Sequence, residues 1–311
     1  MKRSMIIHPE ELSRKWIDRL ADAGVETIGI HPVGGSRAAE SLTELLCRIE
    51  TKEYRDLIDY AHNRGLTVEY ELHAAGYLMP RNLFREHPEY FRMDENGERT
   101  ADYNFCLGSE EGMDLVAQRA AELALSLYGT SHRFYFWMDD GHRLHCHCPR
   151  CRDLSASDQQ LLVLKRMLRE IRKHIPDATM AYLAYMDTVV PPEKAVVDDG
   201  IFLEYAPFEK YTASTECAAE LIAREYAMIA PLMAAFGGEV RKVLEYWYDN
   251  SLYSKWTKPP RPFTLNAEAM RSDIARYRRD GFNYISTFAC YLGEDYEALY
   301  GEVDVEHFTK M

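Results

Sequence analysis

The densest run of reactive side chains in the chain is His142-Arg143-Leu144-His145-Cys146-His147-Cys148-Pro149-Arg150-Cys151, three imidazoles and three thiols in ten positions. Cys146, Cys148 and Cys151 with one imidazole match the donor set of a closed, tetrahedral Zn²⁺ site of the structural kind. Three thiolates leave a bound metal little Lewis acidity, so a catalytic role for it is not expected, and no other cofactor is called for. A loop of free thiols packed under a domain rim is the plainer alternative. Immediately upstream, Asp139-Asp140 follow the apolar run Phe134-Tyr135-Phe136-Trp137-Met138. Adjacent carboxylates leaving such a strand repel each other and lose solvent, which raises the pKa of at least one and suits it to general-acid work. Capping a loop or helix is the competing use.

Further candidates lie at the ends of other β-rich runs. His31 follows the second, Glu69, Glu71 and His73 lie on the third, Glu204 and Tyr205 close the sixth, and Glu245, Trp247 and Asp249 mark the seventh. Side chains alternate with a period of two along a strand, so Glu69, Glu71 and His73 share one face, as do Glu245, Trp247 and Asp249. Facing inward, they form an acidic, aromatic mouth. Carboxylates that accept hydroxyl protons, beside rings that stack on sugar C–H surfaces, suit carbohydrate chemistry. In that scheme Asp140 protonates a glycosidic oxygen, Asp139 orients Asp140 or a 2-acetamido group, and Glu245, with Glu204 as second choice, is the nucleophile. His31, Glu71, His73, Trp137, Tyr205, Trp247 and Asp249 bind the sugar, and Tyr246, Tyr248, Tyr253 and Trp256 thicken the wall around the seventh strand. Two other readings stay open: a metal-dependent isomerase or hydrolase with His31, Glu71, His73, Asp139 and Glu204 as ligands, and a carbohydrate-binding protein without turnover. Cys47, Cys106, Cys217 and Cys290 read as buried small hydrophobes.

What must position these residues is an alternation of β-rich runs with amphipathic stretches. Strands are expected at Ser4–Ile7, Val25–Ile30, Leu66–His73, Phe134–Met138, Met180–Tyr185, Ile201–Tyr205, Lys242–Tyr248 and Tyr284–Phe288. Helical spacing links Leu12, Trp16 and Leu20, then Leu57, Ile58 and Ala61, and later Leu161, Leu164, Leu168 and Ile171, the last set opened by a capping box at Ser157-Asp158-Gln159-Gln160. A polar connection separates the second strand from the Leu57 helix. Eight such cycles predict an α/β protein, a single (β/α)8 barrel over residues 1–311, with a long loop at about 74–107 and a Cys/His-rich loop at 142–152. Active sites in that fold sit at the strand C-termini. An open doubly wound sheet is disfavoured because no Gly-x-Gly-x-x-Gly or Walker loop follows a strand.

Composition narrows the partners. The 311 residues are 47% hydrophobic and 28% charged, ordinary globular usage. Thirty-seven Lys and Arg against 50 Asp and Glu give a net charge of −13, a field that repels phosphate backbones and anionic lipid surfaces. Nucleic acid and membrane partners are not expected, and a small-molecule carbohydrate is; the oligomeric state is left unassigned. Met5-Ile6-Ile7 before His8-Pro9 is too short for a secretory core, and seven cysteines, three of them crowded together, do not make a secreted disulfide framework. A reduced, cytoplasmic protein is expected.

The run Phe136-Trp137-Met138-Asp139-Asp140-Gly141, the Cys146-x-Cys148-Pro149-x-Cys151 segment, Ser157-Asp158-Gln159, Ala181-Tyr182-Leu183-Ala184-Tyr185 and Pro191-Pro192 together resemble the domain family of unknown function numbered 4838. The resemblance runs from about Leu12 to Phe288 and implies a glycosidase-type barrel related to family 163 endo-β-N-acetylglucosaminidases, with more distant similarity to family 20 hexosaminidases and α-glucuronidases. In family 20 an Asp-Glu pair ends strand four, the Asp orienting the acetamido group as internal nucleophile and the Glu serving as acid/base. Asp139-Asp140 is the corresponding tandem, with Asp in place of the Glu.

Overall fold

The computed structural model describes residues 1–212 and 218–310. Eight parallel strands, β1 (Lys2–Ile7), β2 (Thr27–Ile30), β3 (Thr67–His73), β4 (Arg133–Trp137), β5 (Thr179–Ala184), β6 (Ile201–Tyr205), β7 (Arg241–Glu245) and β8 (Tyr284–Phe288), close into a barrel in chain order, with β8 pairing back onto β1. Helices run outside it. The first, Arg14–Ala23, starts where Ser13 Oγ accepts from Trp16 N (3.3 Å), buries Trp16, Ile17 and Leu20 and stops at Gly24, whose left-handed φ of 82° favours glycine. Among the described residues no helix is long and apolar enough to cross a membrane.

Three local expectations need correction. The connection after β2 is largely helical, Ala38–Glu50, because Leu42, Leu45 and Ile49 fall on one buried face. The helix Ala156–Ile171 is capped by Ser155 rather than Ser157: Ser155 Oγ accepts from Asp158 N (3.0 Å) and Asp158 Oδ2 accepts from Ser155 N (3.2 Å). The seventh strand ends at Glu245, three residues early, since Asp249 N turns back to Tyr246 O (3.1 Å) and Asn250 N to Tyr248 O (2.9 Å).

Alternation decides what fills the barrel. Ile6, Tyr135, Trp137, Ala181, Leu183, Phe202, Leu244 and Phe288 pack together inside it, while their chain neighbours Ile7, Phe134, Phe136, Tyr182, Leu203 and Val243 join the larger core between barrel and helices. Gly29 faces inward between them; a Cβ there would lie 2.7 Å from Ile6 Cγ1 and 3.1 Å from Glu71 Oε1. The lower interior is charged. Arg133 Nε donates to Glu69 Oε1 (2.6 Å), and Tyr135 Oη donates to Glu69 Oε2 (2.8 Å). Above them the Lys242 ammonium, 1% exposed, lies 2.6 Å from Glu71 Oε1, 2.9 Å from Glu204 Oε1 and 4.0 Å from the Tyr135 ring centre. Burial opposes its charge, but Glu204 and Glu71 outweigh burial and keep it protonated; burial pushes the Glu71 carboxyl well up, partly offset by Lys242.

The seam above β1 and β8 is clipped by Glu11. Its Oε2 accepts from His8 N (2.9 Å) and its Oε1 from Gly293 N (3.3 Å), and burial, opposed by His8, raises its pKa to about 7.

Two measurements test these buried charges. Lys242→Met leaves buried carboxylate charge unpaired and is expected to lower stability in urea by about 3 to 5 kcal/mol; Lys242→Met with Glu71→Leu and Glu204→Leu removes that charge and should lose markedly less. For Glu11, both states hold the proton below pH 4.5; between 4.5 and about 7 only the unfolded chain releases it, so stability falls as pH rises and the fall is complete above about 7. The shift corresponds to about 3 kcal/mol, so urea titrations of wild type and Glu11→Gln should diverge across that window, wild type losing stability as pH rises and levelling off above about 7 while the variant stays flat.

Candidate functional site

At the C-terminal ends of the strands the barrel opens into a cavity of about 590 Å³. Carrying the inward alternation of β1, β2 and β3 to or just past their ends places His8, His31 and His73 around one side, and all three line the cavity. Each ring is oriented by a backbone carbonyl: His8 Nδ1 to His31 O (2.8 Å), His31 Nδ1 to Glu71 O (2.7 Å) and His73 Nδ1 to Met138 O (3.2 Å). A carbonyl only accepts, so each Nδ1 carries the hydrogen of its contact and each Nε2 is the ring nitrogen left to the cavity side. Burial, reinforced by His73 and His8, holds His31 well below the usual imidazole range and keeps it neutral.

The floor and opposite wall are aromatic. Trp137, fixed by its Nε1 donating to Glu204 Oε2 (2.8 Å), lies 5.5 Å from His31 and 5.2 Å from His73 between ring centres. Tyr246 stacks on Phe288 (5.2 Å), Phe208 packs on Tyr246 (5.0 Å), and Tyr185 and Trp256 complete the lining, Trp256 being 63% exposed at the rim.

Two carboxylates face this space. Asp140 follows β4 with its Oδ2 3.4 Å from His73 Nε2 and its side chain 38% exposed. Asp249 follows β7 and caps the short helix Asn250–Tyr253; Ser251 N (3.0 Å), Ser251 Oγ (2.5 Å) and Leu252 N (3.2 Å) all donate to Oδ1, leaving Oδ2 outside that set. Burial raises its pKa against the pull of those donors. Asp139 goes elsewhere: Arg81 Nη2 donates to its Oδ2 (2.5 Å), while its N–H donates to Asn104 Oδ1 (2.9 Å).

Several expected site residues do not reach the cavity. Glu245 and Trp247 are on the outer side of the β7 segment. Lys210 Nζ (2.6 Å), Tyr211 Oη (2.5 Å) and Tyr277 Oη all donate to Glu245, whose pKa burial raises against Lys210; Trp247 Nε1 donates to Asp273 (3.1 Å). The reason is parity: Lys242 and Leu244 point in, so Glu245 points out, and beyond the strand end no alternation carries Trp247 and Asp249 with it. Tyr205 points outward for the same reason, against Phe282 (5.9 Å). Tyr248 is buried behind the strand and stacks on Phe263 (5.7 Å). Glu71 and Glu204 do point inward, but lie fully buried beneath the floor on Lys242. His31, His73, Trp137, Asp140, Asp249, Tyr246 and Trp256 are the expected residues brought together. His8, Tyr185, Phe208 and Phe288 were missed; for His8 the signal was present, a histidine just past β1 as His31 is just past β2.

Among the described residues the proposed ligand set His31, Glu71, His73, Asp139 and Glu204 does not converge, and the group able to hold a metal ion is Cys106, Cys146, Cys148 and Cys151. Cys106, expected as an isolated hydrophobe, is therefore the fourth member in place of an imidazole. Cys290 is buried as expected, Cys47 is exposed, and Cys217 lies outside the described residues. The stretch from Tyr77 to Arg92 is a packed loop, with Leu78, Met79 and Phe91 buried.

Solved structures share this fold. The β-galactosidase of Rahnella sp. R3 superposes with a TM-score of 0.58 at 12% identity over 100% of this chain and 54% of its own. The β-galactosidase of the psychrophilic Marinomonas ef1 gives 0.54 at 13% identity, covering 92% of this chain and 54% of its own. Endo-glycoceramidase II of Rhodococcus sp. gives 0.54 at 11%, covering 93% and 72%. The chain thus spans about half the length of the two β-galactosidases, and at these identities the likeness is one of fold. No curated protein sequence matches the chain. Residues 44–224, more than half of the chain, match the family described as a domain of unknown function, DUF4838, and the chain belongs to that family.

Proposed function

We propose that this protein is a glycoside hydrolase acting on small oligosaccharides or glycoconjugates, N-acetylhexosaminides among them. The observation that carries the reading is the cavity itself: an aromatic bowl at the strand C-termini with Asp140 after β4 and Asp249 after β7 on its wall. A pair of carboxylates at the scissile bond is the usual equipment of glycosidic cleavage. The fold likeness to β-galactosidases and an endo-glycoceramidase agrees with it, as an argument from analogy.

Asp140 is the proton donor in this reading. Its Oδ2 lies 3.4 Å from Nε2 of His73, whose ring is oriented through Nδ1 by Met138 O (3.2 Å), so the carboxyl group stands on the cavity wall beside an imidazole. Asp249, not Glu245, is the second carboxylate, held by the three donors on Oδ1. The Nε2 of neutral His31 accepts a sugar hydroxyl hydrogen and His8 lines the same side, while Trp137, Tyr246 and Trp256 offer ring faces. Among the described residues Arg37 is the one Lys or Arg lining the cavity, which favours an uncharged sugar. Asp139 positions the β4 exit through Arg81 and Asn104.

A panel of chromogenic glycosides, including β-N-acetylglucosaminides, β-galactosaminides, β-glucosides and α-glucuronides, tests this. Turnover should fall by about 10² or more in Asp140→Asn and in Asp249→Asn, while folded Glu245→Gln keeps kcat within a few-fold. Loss of turnover in folded Glu245→Gln would return the second carboxylate to that residue. Saturable sugar binding without hydrolysis on any member would make the protein a carbohydrate-binding one instead.

A further inference from the structure

We infer that Cys106, Cys146, Cys148 and Cys151 hold a single structural Zn²⁺ ion that fastens the loop ahead of the helix Glu110–Ser126 to the loop after β4. The four Sγ atoms lie within 4.8 Å of one another, and Cys106 and Cys148 stand 3.5 Å apart. A tetrahedral centre with Zn–S bonds of about 2.3 Å places its sulfurs about 3.8 Å apart, inside that spread. All four residues are buried, at 0 to 3% exposure, with Met93 and Leu107 as the partly buried apolar neighbours. Four mutually close thiols in such a place gain nothing from water and little from one another. A dication that replaces their four protons, released to solvent, satisfies all four at once.

The protein backbone prepares the site before any ion arrives. Cys151 N donates to Cys148 O (2.9 Å), making the tight turn that aims two thiols at one point. Met93 N donates to Cys146 Sγ (3.3 Å), the kind of contact that stabilises thiolate charge. Gln159 holds the loop from beneath, its Oε1 accepting from Cys146 N (2.9 Å) and its Nε2 donating to Cys146 O (2.9 Å) and Cys151 O (3.2 Å). Gly108 lets the other loop approach: a Cβ there would lie 3.0 Å from Arg150 Cβ and 3.3 Å from Cys148 Sγ. The mutual closeness of all four sulfurs suits one mononuclear ion better than a multi-iron cluster, whose bulk would spread them.

The consequence is positional. Asn104, two residues before Cys106, accepts from Asp139 N (2.9 Å) and donates to Leu144 O (3.1 Å), so the loop that the ion would anchor is the one that seats the Asp139-Asp140 turn.

Elemental analysis and native mass spectrometry of the full chain, purified reduced and without chelator, test the site directly. About one zinc per chain is expected, falling at least tenfold in Cys106→Ser and in Cys148→Ser, with Tm lowered by several degrees. Replacement by Co²⁺ should give the thiolate-to-cobalt absorbance of a tetrahedral sulfur site, a readout that needs no variant to fold. Folded wild type carrying less than a tenth of an equivalent after incubation with zinc would overturn the inference. So would iron in its place, a mass deficit showing disulfides, or undiminished zinc in Cys106→Ser. None of these readings depends on turnover, so failure of the glycoside panel leaves them intact.

Discussion

One buried ammonium divides the barrel into a filled half and an open half. Lys242 reaches from β7 to Glu71 on β3 and Glu204 on β6, and its charge offsets the cost of burying two acidic side chains that are fully shielded from the surface. The residues above inherit their geometry from this arrangement. Glu204 spends its other oxygen on Trp137 Nε1, which fixes the indole as cavity floor, and the backbone carbonyl of Glu71 takes the Nδ1 hydrogen of His31. The tautomer of a cavity histidine and the orientation of a cavity tryptophan are thus set by strands whose lower side chains are locked on one cation. Gly29 belongs to the same constraint, since only an absent side chain leaves room for the Glu71 carboxylate beside Ile6.

The fold was legible because barrel strands repeat one local pattern eight times, each bounded by glycine, proline or a capping residue. β6 and β8 match their expected bounds, and β3 presents Glu69, Glu71 and His73 inward, as the period of two requires. The same rule misled at β7 for a definite reason. Parity is counted from the interior of the barrel, and nothing in Lys242-Val243-Leu244-Glu245-Tyr246 says whether the lysine or the valine faces in. A buried lysine is the less expected choice, and only the distant partners Glu71 and Glu204 make it the right one. Once Lys242 points in, Glu245 must point out, where Lys210 and two tyrosines have their own claim on it. Cys106 was illegible for a similar reason: it lies 40 residues from Cys146, and its meaning comes from the fold of the intervening loop and helix.

The two adjacent aspartates show how one turn separates equal groups. Asp139 is paired with Arg81 and hydrogen-bonded through its backbone to Asn104, both from the loop between β3 and the helix Glu110–Ser126. Among the described residues Asp140 has no Lys or Arg partner, its Oδ2 lying 3.4 Å from His73 Nε2, and its side chain is 38% exposed against 12% for Asp139. Neighbouring carboxylates repel, and neutralising one by a guanidinium removes most of that repulsion from the other. The pair therefore consists of one member that holds the turn and one that lines the cavity.

The placement of the second carboxylate follows from where strands stop rather than from what they contain. A carboxylate within β7 must choose between the sealed interior below the floor and the helix layer outside, and neither touches a ligand. Asp249 escapes that choice because the chain has left the ladder: the turn from Tyr246 to Asn250 swings it over the rim, and Ser251 and Leu252 fix it there as a helix cap. A capping aspartate is ordinarily a structural residue. Here all its capping bonds fall on one oxygen, so the same residue can hold a helix end with Oδ1 while lining the cavity that Asp140 also lines, although the seventh strand stops short.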